Sequence, residues 1–169
     1  IDTSVITNYN IYVVRDFEAT YDVTVPENST INLDLDGYVV EVTDNWTNNG
    51  TFSINDRKHE DGTGELHFSR PFTNNGQLNI SNITAKTVSA NSMFALNNDI
   101  NLTNSNLVSE TNATVIEVIG NDVVITADTN TTIKTTNTTN QSNYALKNDA
   151  KNTVVNGGKY ISNYKTIFN

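Results

Sequence analysis

The sequence predicts an all-β protein, a right-handed parallel β-helix of about six to seven coils. Three observations point there. Asn (29) and Thr (25) together make up close to a third of the 169 residues. Val and Ile (30) outnumber Ala, Leu and Met (17), and β-branched side chains fit a pleated surface better than a helix. A short motif also recurs along the chain with a spacing near 24 residues, and internal periodicity of that length marks stacked repeats.

The motif is plainest in Trp46-Thr-Asn-Asn-Gly-Thr-Phe-Ser-Ile54 and Phe72-Thr-Asn-Asn-Gly-Gln-Leu-Asn-Ile80. Weaker copies are Val25–Leu33, Phe94–Leu102, Val118–Ile125 and Tyr144–Asp149. In each, one Asn precedes a Gly, Asp or Ser: Asn28, Asn49, Asn75, Asn98, Asn121 and Asn148. After the Asn, apolar residues alternate, as in Phe52/Ile54, Leu78/Ile80 and Ile100/Leu102. A period of two buries one face of a strand. Asn-Gly and Asn-Asp suit tight corners because they tolerate left-handed backbone. A unit this short cannot bury its apolar face alone, whereas stacked units bury it against one another. The six Asn are expected to stack in one column, their amides hydrogen-bonding from coil to coil. Trp46, Phe72, Phe94 and Tyr144 recur at nearly one position and are expected to stack in the core.

Taken in chain order, residues 1–20 lack the repeat and are expected to form an N-terminal cap or an irregular first coil. Residues 21–169 carry the repeats. The polar excursion from Asn55 to Gly64 should protrude as a loop. The Thr-rich run Thr129–Thr139 falls within one coil, so it does not supply the successive Thr rows that an ice-binding face needs. The last residues, Tyr164–Asn169, read as the start of another coil. The chain is therefore expected to be a fragment of a longer protein, with further domains or coils beyond it.

The run Val23–Gly37, followed by Asn48-Asn-Gly-Thr-Phe-Ser-Ile-Asn-Asp56 and Gly62-Thr-Gly64, resembles the coils of pectate-lyase-like β-helix regions in cell-surface proteins of Gram-positive bacteria. The resemblance covers roughly residues 21–125. It departs at Asp36, where that family commonly has Asn, and at Phe52, where it has Leu. It implies the right hand of the helix, an extracellular location (cell surface or secreted), and a role as adhesin stalk, carbohydrate-binding surface or, less often, carbohydrate-active enzyme.

Charge narrows the partners. The net charge is −9. Residues 1–65 hold 13 acids and 3 bases, and residues 66–169 hold 6 acids and 7 bases. No basic face exists to displace phosphate counterions, which opposes nucleic acid and anionic membranes. No apolar run is long enough to insert in a membrane as a helix. The absence of Cys excludes disulfides and thiolate chemistry.

Candidate sites are few. Asp34 and Asp36 lie two apart, and outward carboxylates at that spacing can bind Ca²⁺, with Glu41 and Asp44 as further ligands; calcium is the only cofactor the sequence raises. The loop residues Arg57, Lys58 and His59 are the ligand-binding candidates, placed to grip a glycan. His67 alternates with Leu66 and Phe68 and is expected to face outward. Arg70 is the one strand-borne base for a polysaccharide lyase, but no acid–base set gathers around it, so the expectation is a non-enzyme. Tyr9, Tyr12, Tyr160 and Tyr164 fall at the ends, as cap packing or sugar-stacking platforms. The expected function is a non-catalytic adhesin or binding module that presents a rigid solenoid to glycans or a host surface. The alternatives are a structural stalk or fibre subunit stacking end to end, and a polysaccharide lyase or hydrolase.

Overall fold

The computed structural model describes residues 7–58, 64–89, 91–137, 143–150, 152–163 and 165–168. Among them there is no helix, and 21 short strands form three parallel sheets of seven. Sheet A runs β1 (Thr7–Tyr12), β4 (Ser29–Asp34), β7 (Thr51–Asn55), β10 (Gln77–Ser81), β13 (Ile100–Thr103), β16 (Val124–Ala127) and β19 (Val154–Asn156). Sheet B runs β2 (Phe17–Ala19), β5 (Val39–Val42), β8 (Glu65–Phe68), β11 (Thr84–Thr87), β14 (Asn106–Ser109), β17 (Thr132–Thr135) and β20 (Lys159–Ile161). Sheet C runs β3 (Val23–Val25), β6 (Trp46–Asn48), β9 (Phe72–Asn74), β12 (Phe94–Leu96), β15 (Ile116–Val118), β18 (Tyr144–Asn148) and β21 (Lys165–Phe168).

Every strand pairs with the strand three places along the chain. One circuit of three strands is a coil, and the fold is a parallel β-solenoid. Parallel neighbours cannot be joined by a hairpin, and here the rest of the coil makes the crossover. Of residues 1–20, expected to form an N-terminal cap or an irregular first coil, residues 7–20 carry β1 and β2, which pair in register with β4 and β5. The connection from β7 to β8 is five residues longer than that from β4 to β5, as the excursion after Asn55 requires.

The core is a set of columns, because in-register parallel pairing stacks equivalent residues. Ile31, Phe52, Leu78, Ile100 and Ile125 form one on sheet A. Val40, Leu66, Ala85, Leu107 and Ile133 form one on sheet B. On sheet C the column is Trp46, Phe72, Phe94, Ile116 and Leu146. Leu146, not Tyr144, continues the aromatic column, because β18 pairs two residues further along than the motif suggests. Phe68 and Phe52 join it from the other sheets: Phe68 lies 5.5 Å edge-on to Phe94, and Phe52 stacks 6.0 Å from Phe72. The second inward column of sheet B changes chemistry along its length, from Val42 and Phe68 to buried Thr87, Ser109 and Thr135.

An Asn ladder is present, but its membership differs from the predicted single column. Asn75 donates to Asn49, and Asn97, not Asn98, donates to Asn75, each at 2.8 Å. Asn98 donates instead to the Asn75 carbonyl. A second, buried pair lies one residue earlier, where Asn48 donates to Asn74 at 2.8 Å. Asn148 falls in the register of that buried column. The corners holding Asn28 and Asn121 are longer than those at Asn49 and Asn75. Gly50 and Gly76 are required for space. A Cβ on Gly76 would sit 2.0 Å from the Gly50 carbonyl oxygen, and one on Gly50 2.2 Å from that of Pro26.

Candidate functional site

The outward face of sheet A is a strip of amides and hydroxyls. Asn10, Asn32, Ser53, Asn79 and Asn101 occupy one outward column, because they alternate with the buried residues of their strands. Their side chains join along the stack: Asn32 donates to Asn10 at 2.9 Å, Asn79 to Ser53 at 3.3 Å, and Asn101 to Asn79 at 3.0 Å. The next outward column is Tyr12, Asp34, Asn55 and Ser81. Between the two lies a shallow groove of about 430 Å³, lined by both columns and by Arg57.

Arg57 closes one edge of the groove. Its guanidinium lies 4.7 Å over the ring of Tyr12, which is exposed. It also forms an ion pair with Asp34 and lies 3.8 Å from Asp36. The Arg57 backbone N–H donates to Asp34 at 3.2 Å. Lys58 lies 3.4 Å from Asp36 and 5.6 Å from the Tyr38 ring. The loop that carries these cations is anchored by Asp56, a fully buried carboxylate. It accepts the backbone N–H groups of Gly37 and Lys58 at 2.9 Å and of Gly64 at 3.0 Å.

Four of the predicted site residues therefore meet: Asp34, Asp36, Arg57 and Lys58. His59 lies outside the described residues, as does Tyr164. The two carboxylates do not share an exposed strand face. β4 ends at Asp34, and Asp36 adopts φ +49° in the following turn. Asp34 is only 5% exposed beneath Arg57. The acidic pair meets two cations instead of further carboxylates, and no group of three or more metal-capable side chains gathers among the described residues.

A second cluster lies on the outward face of sheet B. His67 faces outward as expected, but it is largely covered between two carboxylates, 2.7 Å from Glu41 and 2.6 Å from Glu65. Lys86 reaches Glu65 at 2.6 Å from the next coil. Burial opposes ionisation of Glu65, yet the hydrogen bonds from Lys86 and His67 outweigh it and hold the carboxyl below its usual range. On sheet C, Lys147 bridges Glu117 at 2.7 Å and Asp149 at 2.5 Å, and these partners hold the ammonium charged well above its ordinary range. Arg70 lies at the corner between β8 and β9, whereas Asp34 and Asp36 lie at the corner between β4 and β5. The one basic candidate for lyase chemistry is thus on a different corner from the acidic pair.

Sequence reasoning singled out the cations but missed the wall they close. Asn10, Asn32, Ser53 and Asn79 fall one per coil on one polar beat of the alternation, and Asn55 and Ser81 fall on the next. Listing those beats coil by coil would have aligned them. No family model, no curated protein and no solved structure matches the chain.

Proposed function

We propose that this chain is a non-catalytic binding module that holds a glycan along the outward face of sheet A, as a surface-exposed or secreted region of the adhesin-like β-helix kind its sequence resembles. The observation that carries this reading is the groove between the Asn10–Asn101 and Tyr12–Ser81 columns. A sugar chain offers hydroxyls that can both donate and accept, and amides answer both. Tyr12 supplies a half-exposed ring at one edge, with Arg57 over one of its faces, and an aromatic face left open suits the apolar face of a sugar ring. The groove is shallow and repeats with the coil, which favours an extended polymer over a small enclosed ligand. Arg57 and Lys58 are engaged by Asp34 and Asp36, so their charge is offset and the favoured ligand is a neutral polysaccharide.

Native affinity electrophoresis through gels cast with neutral or acidic polysaccharides tests this. Retardation in a neutral polymer, lost in Tyr12→Ala and in Asn79→Ala, is the expected result. Stronger retardation in an acidic polymer would overturn the charge argument, and unchanged mobility in every gel would overturn the reading. Adding Ca²⁺ or a chelator should leave the retardation unchanged, because both candidate ligands already face cations.

A further inference from the structure

The three side walls of the solenoid carry their charge differently. On sheet A the outward Asp34 is covered by Arg57. On sheet C Lys147 is taken up by Glu117 and Asp149. On sheet B the signs are sorted along the stack. One outward column begins Glu18, Glu41 and His67 and continues Lys86, Val108 and Lys134. The other begins Val39 and Glu65 and ends Thr132 and Lys159. In these two columns every acid lies in the first three coils, and every lysine lies beyond them.

The middle of the strip is neutralised within the chain, because Lys86 reaches Glu65 and His67 bridges Glu65 and Glu41. The outer members are not. Glu18, Lys134 and Lys159 form no ion pair among the described residues. A strip that is negative at one end and positive at the other is complementary to itself when turned end for end. A two-fold axis along β11, in the fourth coil, does this. It sets the second coil opposite the sixth, so that Glu41 meets Lys134 of the other copy. It sets the first coil opposite the seventh, so that Glu18 comes level with the strand carrying Lys159. Each contact occurs twice, because the interface is isologous.

The residues on the axis fit this arrangement. Val88 follows β11 and is half exposed, although it belongs to a coil in the middle of the stack. The axis sets it against its own copy, apolar on apolar. Lys86 also falls on the axis, but its charge is offset by Glu65 at 2.6 Å. A two-fold axis along the solenoid would instead place each coil opposite itself, acid against acid and lysine against lysine, which like-charge repulsion opposes.

We propose that two copies of this chain pair antiparallel through the outward faces of sheet B, about a two-fold axis along β11. The interface closes on itself, so the product is a dimer. Sheet A lies on another side of the coil and stays open in both copies.

Sedimentation equilibrium of the intact chain tests the pairing. A dimer is expected at about 0.02 M salt and should dissociate at about 0.5 M, where screening shortens the reach of its charges. A monomer at every concentration and ionic strength would overturn the proposal. Lys134→Glu, which breaks no ion pair within the chain, should weaken the dimer about tenfold, and so should Glu41→Lys. The double variant Glu41→Lys with Lys134→Glu should recover most of the loss, because the reversed charges meet again across the axis. A double variant as weak as either single variant would overturn the register, and circular dichroism checks that each variant is folded. Cross-linking gives an independent reading, because the chain contains no cysteine. Val88→Cys lies on the axis and should form a disulfide dimer on oxidation, whereas Thr73→Cys on the outward face of sheet C should stay monomeric. Equal yields from the two would overturn the choice of face. In high salt Val88→Cys should react freely with a small thiol reagent. A protected thiol there would show another segment of the chain covering the face, and would also overturn the proposal.

Discussion

Two stretches of one column on sheet C solve the same problem with opposite chemistry. In the second and third coils the position before the sheet C to sheet A corner is a buried Asn. Asn48 donates to Asn74 and to the Gln77 carbonyl and caps the Gly50 N–H, and Asn74 donates to the carbonyls of Asn98 and Asp99. In the fourth and fifth coils the position is Leu96 and then Val118, both buried. There the corner groups are served from other quarters: Gly120 and Ile119 donate to the Leu96 carbonyl, and Asp99 accepts the Val124 N–H. The corners differ in what fills them. Those after Asn48 and Asn74 have Gly as their second residue; the corner after Leu96 has the same length in register but holds Asn98 there, whose side chain accepts the Asp99 N–H, and the corner after Val118 is longer. A Gly at that place offers no side chain to satisfy the corner backbone, so the amide comes from inside the coil. A corner with a polar side chain there, or with added residues, supplies its own partner and frees the interior for an apolar residue. A buried polar residue here is thus explained by the turn beside it, in line with the cost of leaving such groups unpaired.

The largest expected effect contrasts the aromatic coils with the aliphatic ones. Phe72→Ala should cost about 4 kcal/mol, whereas Ile133→Val should cost about 1 kcal/mol; denaturant unfolding measures both. Equal losses would mean that the aromatic column is not the tighter part of the core. Next comes the corner argument. Asn74→Leu should cost about 2 kcal/mol, because it removes one of the two acceptors of the Asn48 amide and the donor to two carbonyls. Asn97→Ala, in the exposed ladder, should stay within about 0.5 kcal/mol. A cheap Asn74→Leu would show that Gly corners do not need their interior amide.

The smallest effect is in pH. Glu65 has a lowered pKa in the folded chain, so its contribution is present above the ordinary carboxyl value of 4.5 and lost as pH falls through the folded value. Glu65→Gln should remove that part of the acid sensitivity. Tyr160 behaves in the opposite direction. Burial pushes its hydroxyl up to about 12, so the contribution is complete below pH 10 and lost as pH rises from there towards 12. Tyr160→Phe should flatten the alkaline limb of a thermal-unfolding series across that range. An unaltered limb would mean that the phenol ionises freely in the folded end coil.

The architecture was legible because it is written into local pattern. The period near 24, the two-beat alternation and the Asn-Gly corners are each visible within a few residues, and parallel stacking repeats them. The ladder was legible only approximately. The corner keeps its length, so Asn97 stands level with Asn75; choosing the Asn that precedes Asp, instead of counting from the aromatic residue, shifts the rung by one to Asn98. The groove was less legible still. Asn10, Asn32, Ser53 and Asn79 lie more than twenty residues apart in the chain, and only coil stacking brings them together. The burial of Asp34 was invisible for a related reason, because its cover, Arg57, reaches it from the following coil.

The Asn-Gly corners also bear on how long the molecule lasts. In a loose chain, Asn followed by Gly is the step at which the backbone nitrogen attacks the side-chain amide carbon, releasing ammonia and closing a succinimide that water then opens to aspartate or isoaspartate. Asn49 and Asn75 are held by their rungs, and the Gly50 nitrogen is engaged by Asn48. The third such pair, Asn156-Gly157, lies exposed on the last coil with Gly157 at φ +75°. Ageing should therefore begin at the tail, and peptide mapping after storage should find aspartate at position 156 well before it appears at 49 or 75. Covering that end with another coil would then protect it from chemical decay as well as from exposure.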